Sequence, residues 1–165
     1  MYKHLISLIF LFSSGGLMAQ IKNPAFEKML DSLYHKHVLP ISINDFKKLD
    51  RQNVYLLDTR EAREFAISHL KNARHVGYFW FDMRRVYDIP YESNIVVYCS
   101  IGNRADDIGD KLMNAGYQHV YNLYGGIFEW VNQGNPVYKV NGVQTSEVHY
   151  YGNKWAKWLE RGAAR

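Results

Sequence analysis

Apolar residues fall along this chain in short runs separated by turn residues. Val54-Tyr55-Leu56-Leu57 and Ile95-Val96-Val97-Tyr98 are unbroken, the pattern of strands covered on both faces. His119-Val120-Tyr121-Asn122-Leu123 and the shorter Arg74-His75-Val76 read as two further strands. Helical spacing alternates with them. Asn23 to His37 places Phe26, Met29, Leu30 and Leu33 on one face, an amphipathic helix that caps the domain. Ser42 stands three residues before Asp45 as a capping pair for a short helix through Leu49. Glu61 to Ile67 and Asp106 to Ala115 read as helices, the second ended by Gly116, and Ile127 to Gln133 follows a tight Gly125-Gly126 turn. Tyr78-Phe79-Trp80-Phe81 fits either a buried helix or an exposed aromatic patch, and burial is the expectation. This rhythm predicts an α/β fold, a parallel sheet with helices on both faces. In such sheets the site lies at the carboxyl ends of the strands. Asp58-Thr59-Arg60 and Cys99 both fall there.

The first residues follow a different pattern. Lys3 and His4 precede the apolar run Leu5 to Phe12, then Ser13-Ser14-Gly15-Gly16 and Leu17-Met18-Ala19. A basic start, a short apolar core and a small residue match a secretory signal peptide over residues 1–19, with cleavage after Ala19 and export to the periplasm. An uncleaved anchor is the alternative, but the run is well short of the ~20 apolar residues of a spanning helix. The remainder divides into an N-terminal helical segment (20–40), the α/β domain (41–139) and an aromatic, basic tail (140–165).

Composition refines this picture at two points. The net charge of +4 is scattered, which leaves no nucleic-acid footprint. Cys99 is the only cysteine among 165 residues, so no intramolecular disulfide can form. It stands where a buried strand gives way, through Ser100-Ile101-Gly102-Asn103-Arg104, to a helix. Unpaired N–H groups and the partial positive charge of a helix N-terminus favour a thiolate there.

Three stretches resemble the single-domain rhodanese-like sulfurtransferases: Leu56-Leu57-Asp58-Thr59-Arg60-Glu61-Ala62-Arg63-Glu64-Phe65, Val96-Val97-Tyr98-Cys99 with its loop to Arg104, and Leu123-Tyr124-Gly125-Gly126-Ile127-Phe128-Glu129-Trp130. The resemblance runs from about Ile41 to Val137. It implies a rhodanese-like fold. It also implies that Cys99 takes a sulfane sulfur from a small anionic donor, becomes a persulfide, and passes the sulfur to a thiol or cyanide without a cofactor. A free thiol with a pKa of about 8.5 is only ~3% ionised at pH 7, so such a nucleophile needs help from its surroundings. Arg104 matches the arginine that closes the family's loop, helping to bind the donor and fix the loop's shape. Gly102 permits the loop's curvature, and Ser100, Ile101 and Asn103 complete the donor-binding loop. Arg60 is a second candidate anion contact or a turn tie, and Asp58 supports its loop through a salt bridge or turn bond. His69 reads as a packed histidine and Trp130 as core.

Two departures from the family pattern bear on substrate. Ser100 stands where thiosulfate-using members commonly carry arginine, and Ala105 replaces a frequent hydroxyl residue. Four residues separate Cys99 from Arg104, where phosphate- and arsenate-handling relatives of this fold have five, which disfavours a phosphatase or arsenate reductase. A non-enzymatic binding or sulfur-carrier module is the other rival. The seven histidines lack metal-ligand spacing, so no metal is expected. In the tail, Trp155, Trp158 and Leu159 share a helical stripe, expected to pack back onto the domain, with contact to a partner protein or membrane surface as the alternative.

Overall fold

The computed structural model describes residues 21–35, 37–50 and 52–165; the signal-peptide expectation lies outside them. Five parallel strands form the central sheet in the order β1-β5-β4-β2-β3: β1 (Leu39–Ile41), β2 (Val54–Asp58), β3 (Arg74–His75), β4 (Asn94–Tyr98) and β5 (His119–Leu123). The unbroken apolar runs are the central strand β4 and its neighbour β2, which pair from Val54 with Asn94 to Asp58 with Tyr98. Strand alternation divides their side chains between two cores. Leu56, Val96 and Tyr98 face the helices α1 (Pro24–Leu33), α2 (Ile43–Lys48) and α5 (Gly126–Asn132), whereas Leu57, Ile95 and Val97 face α4 (Asn103–Asn114). Helices therefore cover both faces. The short strand β1 carries no run of its own and forms by pairing with Tyr121 to Leu123.

Local signals set most helix ends. Asn23 caps α1 by accepting from Ala25 N–H and Phe26 N–H, ahead of Pro24 at the first turn. Ser42 caps α2 through Asp45 N–H at 3.0 Å. Glu61 and Glu64 form a capping box for α3 (Ala62–Ile67). The amphipathic pattern runs on to His37, yet α1 stops at Leu33. Tyr34 leaves the helix with an extended backbone, and its hydroxyl donates to Ile101 O, 67 residues away. A tertiary contact thus overrides local periodicity.

Two expectations are decided by packing. In Tyr78-Phe79-Trp80-Phe81, Trp80 is 83% and Phe79 68% exposed, which corrects the expectation of burial. The segment follows the edge strand β3. It is tied down by polar bonds, Tyr78 Oη donating to Asp107 and Phe79 N–H to Glu61 Oε1; Tyr78 and Phe81 pack against the second core, and Phe79 and Trp80 between them face solvent. The tail, in contrast, packs onto the domain. A hairpin pairs β6 (Val137–Tyr138) with β7 (Gln144–Thr145), and β8 (Glu147–Val148) pairs with β9 (Ala163–Ala164). Around α6 (Asn153–Ala156), Trp155, Trp158 and Leu159 rest on the first core, and Trp158 stacks on Phe26 at 5.4 Å. Asn132 fastens this stretch by donating to Trp158 O and accepting from Glu160 N–H.

Candidate active site

Cys99 lies immediately after β4 and is 1% exposed, at the floor of a cavity of about 230 Å³. The cavity is lined by the Cys99 loop, by Leu33 at the end of α1, and by Tyr151, Lys154 and Trp155 of the tail. The loop's shape is set from outside. Cys99 O accepts from Ile127 N–H, Ser100 O from Phe128 N–H, Ile101 O from Tyr34 Oη, and Gly102 O from Asn122 Nδ2. Each trans peptide directs its C=O and the following N–H to opposite sides, so the N–H groups of Ser100 to Asn103 point away from these four partners. Gly102 N–H reaches Sγ at 3.1 Å.

This scaffold explains the glycines. Gly102 has φ 105°, and a Cβ there would lie 1.8 Å from Tyr34 Oη. A Cβ on Gly126 would lie 2.4 Å from Cys99 O, so only glycine lets α5 bring its first N–H groups onto the loop. Burial holds the Tyr34 phenol's pKa far above its usual value, so it remains a neutral donor to Ile101 O and acceptor from Gly125 N–H. The roles of Tyr34 and Asn122 were not read from the sequence. A tyrosine near a helix end and a polar residue inside an apolar strand were the available signals.

Arg104 joins the loop to α4, but its guanidinium is already engaged. Both terminal nitrogens donate to Glu64 at 2.8 Å, Nη2 also donates to Ser100 Oγ at 3.2 Å, and the Tyr151 ring covers its face at 4.4 Å. Glu64 is wholly buried. Burial alone would raise its pKa, but the bonds and charge of Arg104 prevail and hold it below the usual range. His149 of the tail stands 3.9 Å from the same carboxylate, and burial lowers its pKa below the ordinary histidine value. Glu64 was missed because a glutamate in a helix's first turn reads as a capping residue, a role it also fills.

Arg60 is not among the cavity-lining residues, which corrects its expected anion contact. It is 0% exposed, with Nε and Nη2 on Asp58 and a further bond from Nη2 to Ser68 O. The pair ties the end of β2 to the segment after α3, placing Asp58 as loop support. Next to it, Thr59 N–H donates to Tyr98 O and fastens that loop to the strand leading into Cys99. Ser100, Ile101 and Asn103 line the cavity, and Gly102 supplies the N–H on Sγ. His69 stacks on Phe65 at 3.9 Å, and Trp130 is buried with its indole N–H on Pro136 O. Among the described residues, no group of three His, Cys, Asp or Glu side chains is placed to hold a metal.

A family model of the rhodanese-like domain matches residues 42–133, more than half of the chain. The chain belongs to the rhodanese-like family. A sulfurtransferase of Allochromatium vinosum is 32% identical over 93 residues, 56% of this chain and 86% of that protein. A tRNA uridine(34) hydroxylase of Wigglesworthia glossinidia brevipalpis is 33% identical over 98 residues, but the likeness spans only 31% of that protein. The polysulfide-sulfur transferase homodimer of Wolinella succinogenes shares the fold, with a TM-score of 0.52 at 23% identity over 70% of this chain and 88% of that one. Membership of the rhodanese-like family, with sulfurtransferase relatives, supports a sulfurtransferase-type enzyme and sulfur transfer in general as its chemistry.

Proposed function

We propose that this rhodanese-like protein moves sulfane sulfur from a small anionic donor, thiosulfate or a similar compound, through a persulfide on Cys99 to a thiol or cyanide. We further propose that it does so in the periplasm, after loss of residues 1–19. The observation that carries the reading is the thiol lining the cavity, with Gly102 N–H on its Sγ and the loop's carbonyls bonded to partners outside the loop.

The chemistry follows from that geometry. The Cys99 thiolate attacks the donor's terminal sulfur, a new Sγ–S bond forms, the donor's S–S bond breaks, and its electron pair leaves on sulfite when the donor is thiosulfate. Loop N–H groups then face an anionic persulfide, which fixed dipoles stabilise without reorganising. An acceptor thiolate or cyanide next attacks the outer sulfur and Sγ departs as thiolate. Because the chain has one cysteine, no internal thiol can discharge the persulfide, and the acceptor must be another molecule.

Mass spectrometry of the mature protein after exposure to thiosulfate or polysulfide tests the reading. One added sulfur atom on Cys99, absent from Cys99→Ser, is the expected result. No adduct with any sulfane donor would overturn it in favour of a non-enzymatic module.

A further inference from the structure

Four residues that line the Cys99 cavity come from outside the loop: Leu33 at the end of α1, and Tyr151, Lys154 and Trp155 in the tail. They change what the cavity can hold. Arg104 cannot act as a free anion clamp, since Glu64 cancels its charge and takes both terminal nitrogens, while Tyr151 covers its face. Tyr151 is held at φ 56°, a conformation aromatic residues seldom adopt, with its N–H on His149 Nδ1. The strained backbone places the ring against Arg104.

Lys154 differs from Arg104. Among the described residues it has no carboxylate within salt-bridge distance, and its ammonium lies 4.8 Å from the Trp155 ring. The cavity therefore offers one uncompensated side-chain cation. Leu33, Ile101, Tyr151 and Trp155 make much of the rest apolar or aromatic. Its volume of about 230 Å³ approaches the ~300 Å³ at which pockets take organic ligands. A small inorganic dianion would leave the Leu33–Trp155 side without a contact and would bring two charges to one cation.

We propose that the tail makes this a pocket for amphipathic organic monoanions bearing a terminal sulfane sulfur, R–SO₂–S⁻ or R–S–S⁻. The group R lies against Leu33 and Trp155, the negative charge is shared between Lys154 and the loop N–H groups, and Trp155 and Lys154 determine specificity. The proposal rests on Cys99 as the sulfur-accepting nucleophile. With a thiosulfonate, the Sγ lone pair forms the new Sγ–S bond, the donor S–S bond breaks, and its pair leaves on R–SO₂⁻. With an organic persulfide the leaving group is R–S⁻. The sulfur is carried as the outer atom of the Cys99 persulfide, charge is conserved, and no oxidant or reductant is needed.

Two measurements test this. In the first, Cys99→Ser is titrated calorimetrically with benzenesulfonate and with sulfate, neither of which can transfer sulfur. Benzenesulfonate should bind about ten-fold tighter or more. Trp155→Leu in the same background should bring the two within roughly three-fold, while Lys154→Gln, an exposed position that leaves the fold intact, should weaken benzenesulfonate by roughly three-fold or more. In the second, persulfide formation on the wild-type protein should fall in kcat/KM from benzenethiosulfonate through methanethiosulfonate to thiosulfate. Sulfate binding as tightly as benzenesulfonate, a preference that survives Trp155→Leu, or no effect of Lys154→Gln overturns the proposal whether or not Cys99 reacts. If benzenesulfonate is preferred but no donor loads Cys99, the enzyme reading falls and the pocket assignment stands. If thiosulfate loads Cys99 as fast as benzenethiosulfonate, the pocket assignment falls and the enzyme reading stands.

Discussion

Replacing Glu64 by glutamine isolates the buried charge on which the Cys99 loop depends. The variant keeps the side chain's shape and one carbonyl oxygen, but its amide NH₂ would face an Arg104 nitrogen as donor against donor. Arg104, with only 11% of its side chain exposed, would then be a nearly buried cation without a counter-charge. Breaking a buried pair by removing one partner costs about 3–5 kcal/mol. The exposed edge of Arg104 points to the lower end, about 3 kcal/mol. At a urea slope of about 1–3 kcal/mol/M, the unfolding midpoint should fall by roughly 1–3 M. The same pair adds a pH arm. Glu64 titrates below its usual 4.5 because the Arg104 bonds overcome the effect of burial. A depressed carboxyl pKa gives stability that is fully present above the unfolded value and lost as pH falls through the folded one. The wild-type advantage over Glu64→Gln should therefore hold steady from neutral pH to about pH 5 and shrink in more acid solution. A midpoint shift under about 0.3 M at neutral pH, or a difference unchanged down to about pH 3, would refute the reasoning.

Three further outcomes are expected. Tyr34→Phe strips the hydroxyl that donates to Ile101 O and accepts from Gly125 N–H. It should cost about 2–3 kcal/mol in urea unfolding and speed alkylation of Cys99 by iodoacetamide; unchanged values for both would show that the loop holds its shape without Tyr34. Gly102→Ala meets both a positive φ and the Tyr34 hydroxyl, so sulfur loading should fall by about ten-fold or more even where the protein still folds, and wild-type loading would contradict the cradle. Trp80→Ser should change stability by no more than about 0.5 kcal/mol, and a loss near 2 kcal/mol would mean that this ring is covered in solution.

Much of the architecture was legible because it depends on short-range patterns. The runs at Val54 to Leu57 and Ile95 to Tyr98 are continuous because both faces of β2 and β4 are covered. Ser42, Gly116 and the Gly125-Gly126 pair mark ends through backbone geometry that each residue carries with it. Arg60 as an anion contact, and Phe79 and Trp80 as buried rings, were misread for the opposite reason. Whether a charge is neutralised in place, or a ring finds a second layer, depends on neighbours that periodicity does not contain. Arg60 meets Asp58 and the Ser68 carbonyl, while Phe79 and Trp80 meet solvent.

By itself the sequence determined a parallel α/β domain and placed one cysteine between a buried strand and a helix, with an arginine five residues on. Those features follow from side-chain period, turn chemistry and a single count. Only the tertiary structure decided how that cysteine is served. Tyr34 and Asn122 turn the loop's carbonyls outward, Glu64 neutralises Arg104, and a tail far along the chain closes the cavity with Tyr151, Lys154 and Trp155. The physical reason is separation. Hydrogen bonds and charge compensation act over a few ångströms between residues that can stand dozens of positions apart, and folding alone brings them within reach.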